Sequence, residues 1–328
     1  MKLHQDKKLF KQAIQYTSDQ LQIPAIFVEK DYWVTYALFT IFNDKIGSDT
    51  VFKGGTALSK CYNIIERFSE DIDLVVFRRE AESNNKLTNK IRKISHVVSS
   101  VLPEIKIAGL THKMGMNRKT AHSFNKEFKG HYGQIRDAVI VEATWLGYFE
   151  PHTHKSVCSF VGEIMMNSGQ NEMAKEQDLL PFDVVVLEPS RTICEKIMSL
   201  VRFSYGKNPI ADLKNKIRHI YDLDRLLSVK DLLAFFKSKE FDIMLLKVAQ
   251  DDVVSFKNNN QWLKNHPVNS LIFENPEKIW SELKIVYDND FKNLVYGVFP
   301  SEAELLSTLI RIQKRLESID WKVKLETK

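Results

Sequence analysis

Phe52-Lys53-Gly54-Gly55-Thr56-Ala57-Leu58-Ser59-Lys60, followed by Arg67-Phe68-Ser69-Glu70-Asp71-Ile72-Asp73-Leu74-Val75-Val76-Phe77, decides the reading of this 328-residue chain. The apolar run Val51-Phe52 meets a Gly-Gly-Thr turn, beyond which Leu58, Cys61, Tyr62, Ile65 and Phe68 keep helical spacing. That pattern predicts a strand tip, a glycine turn and a helix. Residues 71–77 are short, rich in β-formers and bounded by polar stretches, which predicts a strand. Side chains alternate along a strand, so Asp71 and Asp73 share one face while Ile72 and Leu74 take the other.

Both halves have a chemical meaning. A glycine turn that opens a helix exposes N–H groups at the positive end of the dipole, and the missing Cβ atoms let phosphate oxygens approach the backbone. Two carboxylates on one rigid strand suit Mg²⁺ (or Mn²⁺), which takes its remaining ligands from a triphosphate and water. Alone, a Gly-Gly turn is usually only a turn and Asp-x-Asp only a solvated strand end. In the order turn, helix, strand they describe a metal-dependent nucleotidyl transfer site.

Working outward, residues 1–45 read as helical, with Leu21, Ile26, Phe27, Tyr32, Trp33, Tyr36, Ala37, Phe39 and Ile41 at mostly three- and four-residue steps. Downstream, the pattern predicts a helix over 80–101 and strands over 105–110, 138–145, 157–166 and 183–187. After Pro189 the chain becomes almost wholly helical, with apolar stripes over 191–203, 213–227, 230–236, 242–249, 276–287 and 301–319. The expected fold is α/β (α+β), a mixed sheet with helices in a domain over 1–188. An all-helical half over 189–328 follows, expected to close the active-site cleft.

Composition narrows the class. Gly and Pro together are only 21 residues, which excludes a collagen-like chain, and 20 Phe with 5 Trp exclude a disordered one. No window approaches the ~20 apolar residues of a bilayer span, and the amino terminus lacks a signal-peptide core. The expectation is a soluble protein of the cytoplasm. Cys61, Cys158 and Cys194 are too few and too far apart for a disulfide framework or a CxxC metal site. The net charge of +5 is compatible with RNA or nucleotide phosphates without requiring either.

The quoted string resembles the core motif of the AbiEii/MenT nucleotidyltransferase toxins, a branch of the polymerase-β-like nucleotidyltransferase superfamily. Three further segments resemble that family in the same order: Val28-Glu29-Lys30-Asp31-Tyr32-Trp33, Leu187-Glu188-Pro189-Ser190-Arg191-Thr192-Ile193-Cys194-Glu195-Lys196, and Arg218-His219-Ile220-Tyr221-Asp222-Leu223. The likeness spans about residues 28–227. It implies that Gly54, Gly55 and Thr56, with Lys60 and Ser69 beside them, hold a nucleoside triphosphate and that Asp71 and Asp73 bind Mg²⁺. Lys196 matches the family's nucleotide-phosphate lysine and Asp222 its later acidic residue. Fourteen residues separate Thr56 from Asp71, more than in the wider superfamily, so the narrow assignment fits better than the broad one.

By resemblance the chain transfers a nucleoside monophosphate from a triphosphate to a hydroxyl, releasing pyrophosphate. The acceptor would be RNA, with the 3′ end of tRNA the favoured case. The chain would then be the toxin of a toxin–antitoxin or phage-defence (abortive infection) pair with its own antitoxin. The competing reading is a non-catalytic module that keeps the fold and captures nucleotide or RNA; the intact Asp71 and Asp73 argue against it. A kinase-type transferase lacks its GxxxxGK[ST] loop.

Other residues carry two readings each. Glu142, a charge inside the apolar run 139–144, is either an edge-strand residue facing water or a third acid that joins the metal cluster and assists the nucleophile. Ile193, Ile197, Leu200 and Val201 form the stripe of the helix after Ser190, leaving Arg191, Glu195, Lys196 and Arg202 on other faces, so a solvated face is the alternative for Lys196. Asp222 lies four residues after Arg218 and three before Arg225, and a surface ion pair explains it nearly as well. His152-x-His154 with Cys158 reads as solvated loop residues rather than zinc ligands. Ser59, Ser69 and nine scattered His give no hydrolase triad. Lys113, Arg118, Lys119, Lys126 and Lys129, interleaved with His122, Phe124, Phe128, His131 and Tyr132, read as a mobile RNA- or triphosphate-tracking arm or as a basic surface loop.

Overall fold

A computed structural model describes residues 1–113, 115–130 and 136–325. The chain forms two compact units. The first comprises Met1–Asn63, Phe68–Trp145 and His152–Leu187; the second comprises Ile64–Arg67, Leu146–Pro151 and Glu188–Lys328. No helix among the described residues is long and apolar enough to cross a membrane.

The first unit opens with α1 (Lys7–Leu21) and α2 (Ala25–Asn43), then β1 (Thr50–Lys53), α3 (Gly54–Lys60), β2 (Asp71–Val76), α4 (Asn84–Ser99), β3 (Glu104–Ile105), β4 (Asn117–His122), β5 (Val139–Thr144) and β6 (His152–Val157). It ends with α5 (Phe160–Asn167), α6 (Asn171–Glu176) and β7 (Phe182–Leu187). The seven strands form one mixed sheet in the order β3-β4-β5-β2-β1-β7-β6. β2 pairs antiparallel with β1 and parallel with β5. Ile72, Leu74 and Val76 of β2 and Val139, Val141 and Ala143 of β5 enter the core with residues of α2 and α4. The alternation that buries them puts Asp71, Asp73 and Glu142 on the opposite face.

α2 is buried almost all round, and Glu29, Lys30 and Asp31 are buried with it. Buried charges persist only where each is paired or hydrogen-bonded. Glu29 accepts from the Glu127 and Phe128 N–H groups at 2.7 and 3.1 Å. Lys30 lies 3.2 Å from Glu70 and donates to the carbonyls of Arg136 (2.7 Å) and Ala138. Asp31 pairs with Lys60 at 2.5 Å and accepts from the Phe160 N–H at 2.8 Å. Successive helical residues point about 100° apart, so three neighbours in sequence bind three different parts of the unit.

Several expected elements change. The helix after the glycine turn stops at Lys60, and Asn63 takes a left-handed conformation (φ 52°) that ends helical continuation. Residues 157–166 are not a strand: β6 ends at Val157, and Ser159 caps α5 by accepting from the Gly162 N–H at 3.1 Å. The strand expected over 105–110 is reduced to β3, with Gly109 left-handed (φ 73°) just beyond. The expected basic arm or loop is largely structured, since Arg118, Lys119 and His122 lie on β4 and Phe124 stacks on Trp33. His131 and Tyr132 fall outside the described residues. His152 and His154 lie on β6 rather than in a loop.

The second unit is helical: α7 (Pro189–Ser204), α8 (Pro209–Lys214), α9 (Ile217–Ser228), α10 (Lys230–Lys237), α11 (Lys239–Ser255), α12 (Leu271–Glu274), α13 (Pro276–Val286) and α14 (Glu302–Glu317). The helix expected over 213–227 is split at Asn215-Lys216. α7 packs against α9 and α11, burying Ile193, Ile197, Leu200, Leu223, Leu226, Phe241 and Leu245.

Candidate active site

The glycine turn and the carboxylates meet in the first unit. Gly54 has φ 80°, and a Cβ placed there lies 2.2 Å from Asp73 Oδ2 and 3.0 Å from its Cγ. The Asp73 carboxylate therefore sits directly against the turn, and only glycine supplies both the backbone conformation and the space. Thr56 fastens the same turn to the start of β2. Its hydroxyl, 1% exposed as a residue, donates to the Asp71 carbonyl at 2.6 Å and lies 3.0 Å from Ser69 Oγ. Thr56 and Ser69 thus spend their hydroxyls on one another and on β2, and what Thr56 has left for a phosphate is backbone.

Register builds the rest. Lys53 stands opposite Asp73 across β1 and β2, Asp73 opposite Glu142 across β2 and β5, and Glu142 opposite Lys119 across β5 and β4. Facing partners in a ladder share a face, so the sequence positive, negative, negative, positive crosses four strands in one row. Asp71 lies two residues before Asp73 on that face, with the Arg136 guanidinium 3.5 Å from it. Glu142 is not an edge residue facing water, for β5 is flanked by β2 and β4. Its Oε1 accepts from Asn117 at 2.9 Å and its Oε2 from Lys119 at 2.8 Å.

The electrostatics are unequal. Burial, then the neighbouring charges of Glu142 and Asp71, push the Asp73 carboxyl up to about 7, against the opposing pull of Lys119 and Lys53. Burial acts to raise Glu142 too, but the Lys119 ammonium and the bonds from Lys119 and Asn117 outweigh it and hold Glu142 below the usual carboxylate range. Asp73 is thus the perturbed member, a buried carboxyl with two like charges beside it.

This donor set fits a hard divalent cation held by two carboxylates. Asp71 and Asp73 offer oxygens on one face, and the carboxylates of Glu142 and Asp71 beside the buried Asp73 add negative charge there that a cation would offset. Among the described residues, no three His, Cys, Asp or Glu side chains are gathered as a metal cage needs. Glu142 stands beside the pair as a third acid would, but Asn117 and Lys119 already engage both its oxygens. His152 packs on Phe77, and the Cys158 thiol donates to the Leu179 carbonyl at 3.3 Å, so that trio forms no metal site.

Lys60 is elsewhere engaged. Its ammonium pairs with Asp31 and donates to the Cys158 carbonyl at 3.1 Å, with the side chain 6% exposed.

Lys196 and Asp222 come together in the second unit. Lys196 Nζ lies 2.6 Å from Asp222 Oδ2, and Arg67 grips the same carboxylate through Nε and Nη2, each at 2.7 Å. All three side chains are buried, so neither the solvated helix face for Lys196 nor the surface pair with Arg218 and Arg225 for Asp222 holds. Burial opposes charge on Asp222, yet Arg67 and then Lys196 overcome it and hold the carboxyl far below its ordinary range. His219, 3.4 Å from Lys196, is pushed well below its usual value by burial and by that ammonium. Arg191 is likewise buried, paired with Asp251 at 2.6 Å and Glu195 at 3.1 Å.

Sequence reasoning assigned no role to Arg67, Lys30, Asp31, Glu70 or Asn117. The signal for Lys30 and Asp31 was present: three consecutive charges between Val28 and Tyr32 in a helix apolar on every side.

A glycine turn packed under an Asp-x-Asp strand of a mixed sheet, followed by a helical unit, defines the nucleotidyltransferase class. The chain matches the family described as nucleotidyl transferase AbiEii toxin, type IV TA system, over residues 36–322, and it belongs to that family. It is therefore a nucleotidyltransferase toxin of a type IV toxin–antitoxin system, with a nucleoside triphosphate as substrate and an antitoxin as counterpart. Among solved structures it is similar to MenT4, nucleotidyltransferase toxin Rv2826c from Mycobacterium tuberculosis H37Rv. That likeness has a TM-score of 0.57 at 16% identity and covers 94% of this chain and 90% of that one, a likeness of fold. No curated protein matches the sequence.

Proposed function

We propose that this toxin transfers a nucleoside monophosphate to an RNA hydroxyl, with the 3′ end of tRNA as acceptor and Mg²⁺ or Mn²⁺ held by Asp71 and Asp73. The observation that carries the reading is the contact of Asp73 with Gly54, which puts the phosphate-seating turn and the metal carboxylate at one point. When bound, the cation neutralises triphosphate oxygens and acidifies the attacking hydroxyl. The turn 54–56 offers backbone N–H groups to the phosphates, and Thr56 keeps that turn in register with Asp71. Arg136, beside Asp71, and Lys53, beside Asp73, add positive charge around the leaving pyrophosphate. Ser69 supports the turn through Thr56, and Lys60 is committed to Asp31 and the Cys158 carbonyl, so neither is assigned to the nucleotide.

Lys196, the phosphate lysine by family resemblance, has its position fixed within the second unit by Asp222, which Arg67 grips as well. Asp222 is not the base, because a carboxylate held so far below its ordinary range by two cations does not accept a proton near neutral pH. Glu142, held down by Lys119, is a poor base for the same reason.

The test is incubation of the purified protein with each α-phosphate-radiolabelled triphosphate, Mg²⁺ and total tRNA. Label is expected on RNA with at least one nucleotide, lost on Asp71→Ala or Asp73→Ala at unchanged fold. Equal labelling by wild type and the double variant refutes the metal assignment, and label on protein alone refutes the RNA acceptor.

A further inference from the structure

Lys119, on β4, has as its partner an acid of the candidate site on the neighbouring strand β5. Its ammonium sits 2.8 Å from Glu142 Oε2, only 19% of its side chain is exposed, and it shares the row that contains Asp73. Its field reaches Asp71 and Asp73 as well as Glu142. Asn117, two residues earlier on the same face of β4, closes the other oxygen of Glu142 at 2.9 Å and keeps its own buried Oδ1 without a hydrogen-bond partner. The Glu142 carboxylate fixes the amide orientation, because the reverse placement sets oxygen against oxygen.

We infer that Lys119 is a tethered cation that stands in for a second divalent ion, so that Asp71 and Asp73 hold a single metal and Glu142 serves as the seat of the lysine. The inference rests on the metal assignment above and specifies its stoichiometry. Both oxygens of Glu142 are engaged, one by Asn117 and one by Lys119, which leaves Asp71 and Asp73 as the carboxylates open to a cation. Asn117 and Lys119 approach Glu142 from one strand in β-ladder register, which makes their grip a property of the sheet rather than of a loop.

Mn²⁺ titration by calorimetry and by the loss of the free-ion electron spin resonance signal tests this without nucleotide or turnover. Wild type is expected to take up one ion per chain. Lys119→Met, which leaves Glu142 charged and unpaired, is expected to take up a second ion or to bind the first at least tenfold more tightly, and Lys119→Arg to titrate as wild type. Because Lys119→Met can lose stability, the neutral pair Lys119→Met/Glu142→Gln is measured beside it. That double variant removes opposite charges together and should bind one ion within about threefold of wild-type affinity, since a neutral replacement of an ion pair is well tolerated.

Two ions in wild type, a tenfold loss in the double variant, or identical titrations of wild type and Lys119→Met each overturn the inference. Absence of Mn²⁺ uptake by every variant overturns it together with the metal assignment. Nucleotide labelling of RNA is read separately, so that a transferase with a different metal arrangement is distinguished from a protein that transfers nothing.

Discussion

Gly54→Ala is the sharpest probe of the turn. At φ 80° an alanine pays the left-handed penalty of about 1–2 kcal/mol. Its Cβ also falls 2.2 Å from Asp73 Oδ2, so the carboxylate must shift by roughly 1 Å and leave its rotamer, adding about 0.5–1.5 kcal/mol. The expected loss is thus about 1.5–3.5 kcal/mol. Gly169 isolates the first contribution: its φ is 75° and nothing lies within 4 Å of the added Cβ, so Gly169→Ala should lose only about 1–2 kcal/mol. Urea unfolding of both variants gives the difference, and placing Gly54→Ala on an Asp73→Gly background should return its cost to the Gly169 value. Transfer by Gly54→Ala should fall about a hundredfold, the usual consequence of a 1 Å misplacement at a reacting centre. If Gly54→Ala matches Gly169→Ala in stability and wild type in transfer, the contact between turn and carboxylate does not shape the site.

Asp73→Asn should stabilise the metal-free protein at pH 8 by about 1–3 kcal/mol. The folded-state value of about 7 lies above the ~3.9 of an unfolded chain, so ionisation opposes folding above pH 7 and ceases to do so below pH ~3.9. Melting in EDTA should show the advantage shrinking steadily from pH 8 to pH 4; a variant less stable at pH 8 contradicts the crowding of the carboxylates. In the second unit, Asp222→Ala should cost about 3–5 kcal/mol because it strands Arg67 and Lys196. Lys196→Met should cost less, about 1–3 kcal/mol, since Arg67 stays on the carboxylate, and the reverse order disproves that geometry. Because the Asp222 pKa is depressed, its contribution is already complete above pH ~3.9, and the Asp222→Asn deficit should be equal at pH 5 and pH 7. Lys60→Met should lower the melting temperature while leaving the KM for nucleotide within twofold, as befits a lysine committed to Asp31; a tenfold rise in KM would restore it to the nucleotide site.

What was legible in the sequence had short range. Asp71 and Asp73 fall on one face because strand periodicity is 2, and a string of three residues suffices to say so. Glu142 stood out as a charge among apolar residues, yet its place opposite Asp73 depends on a strand pairing across 68 intervening positions that no local pattern encodes. β4 escaped because both its faces begin polar: Asn117 and Lys119 turn to Glu142, while Arg118 turns the other way and donates to Ser95 at 2.6 Å. Without alternation of apolar and polar residues, such a strand looks like a basic loop. Helical spacing from Leu58 to Phe68 misled for the opposite reason, since Ile65 and Phe68 are buried, but in irregular backbone beyond Asn63. Lys196 and Asp222 were named through resemblance, and only the fold reveals Arg67 as a second cation on the same Asp222 carboxylate.

The four residues 64–67 leave the first unit between the glycine turn and β2, and Arg67 finds its carboxylate 155 residues later. On a ribosome that adds about 5–20 residues per second, roughly 10–30 s pass between the emergence of Arg67 and that of Asp222. Throughout that interval the polypeptide already carries Asp71, Asp73 and the turn that serves them, but the segment joining turn to strand is still untied. A nascent toxin is thereby kept from finishing its fold until most of its message has been read, and a fragment ending before Asp222 inherits the acids without the bond that anchors the link between them and the turn.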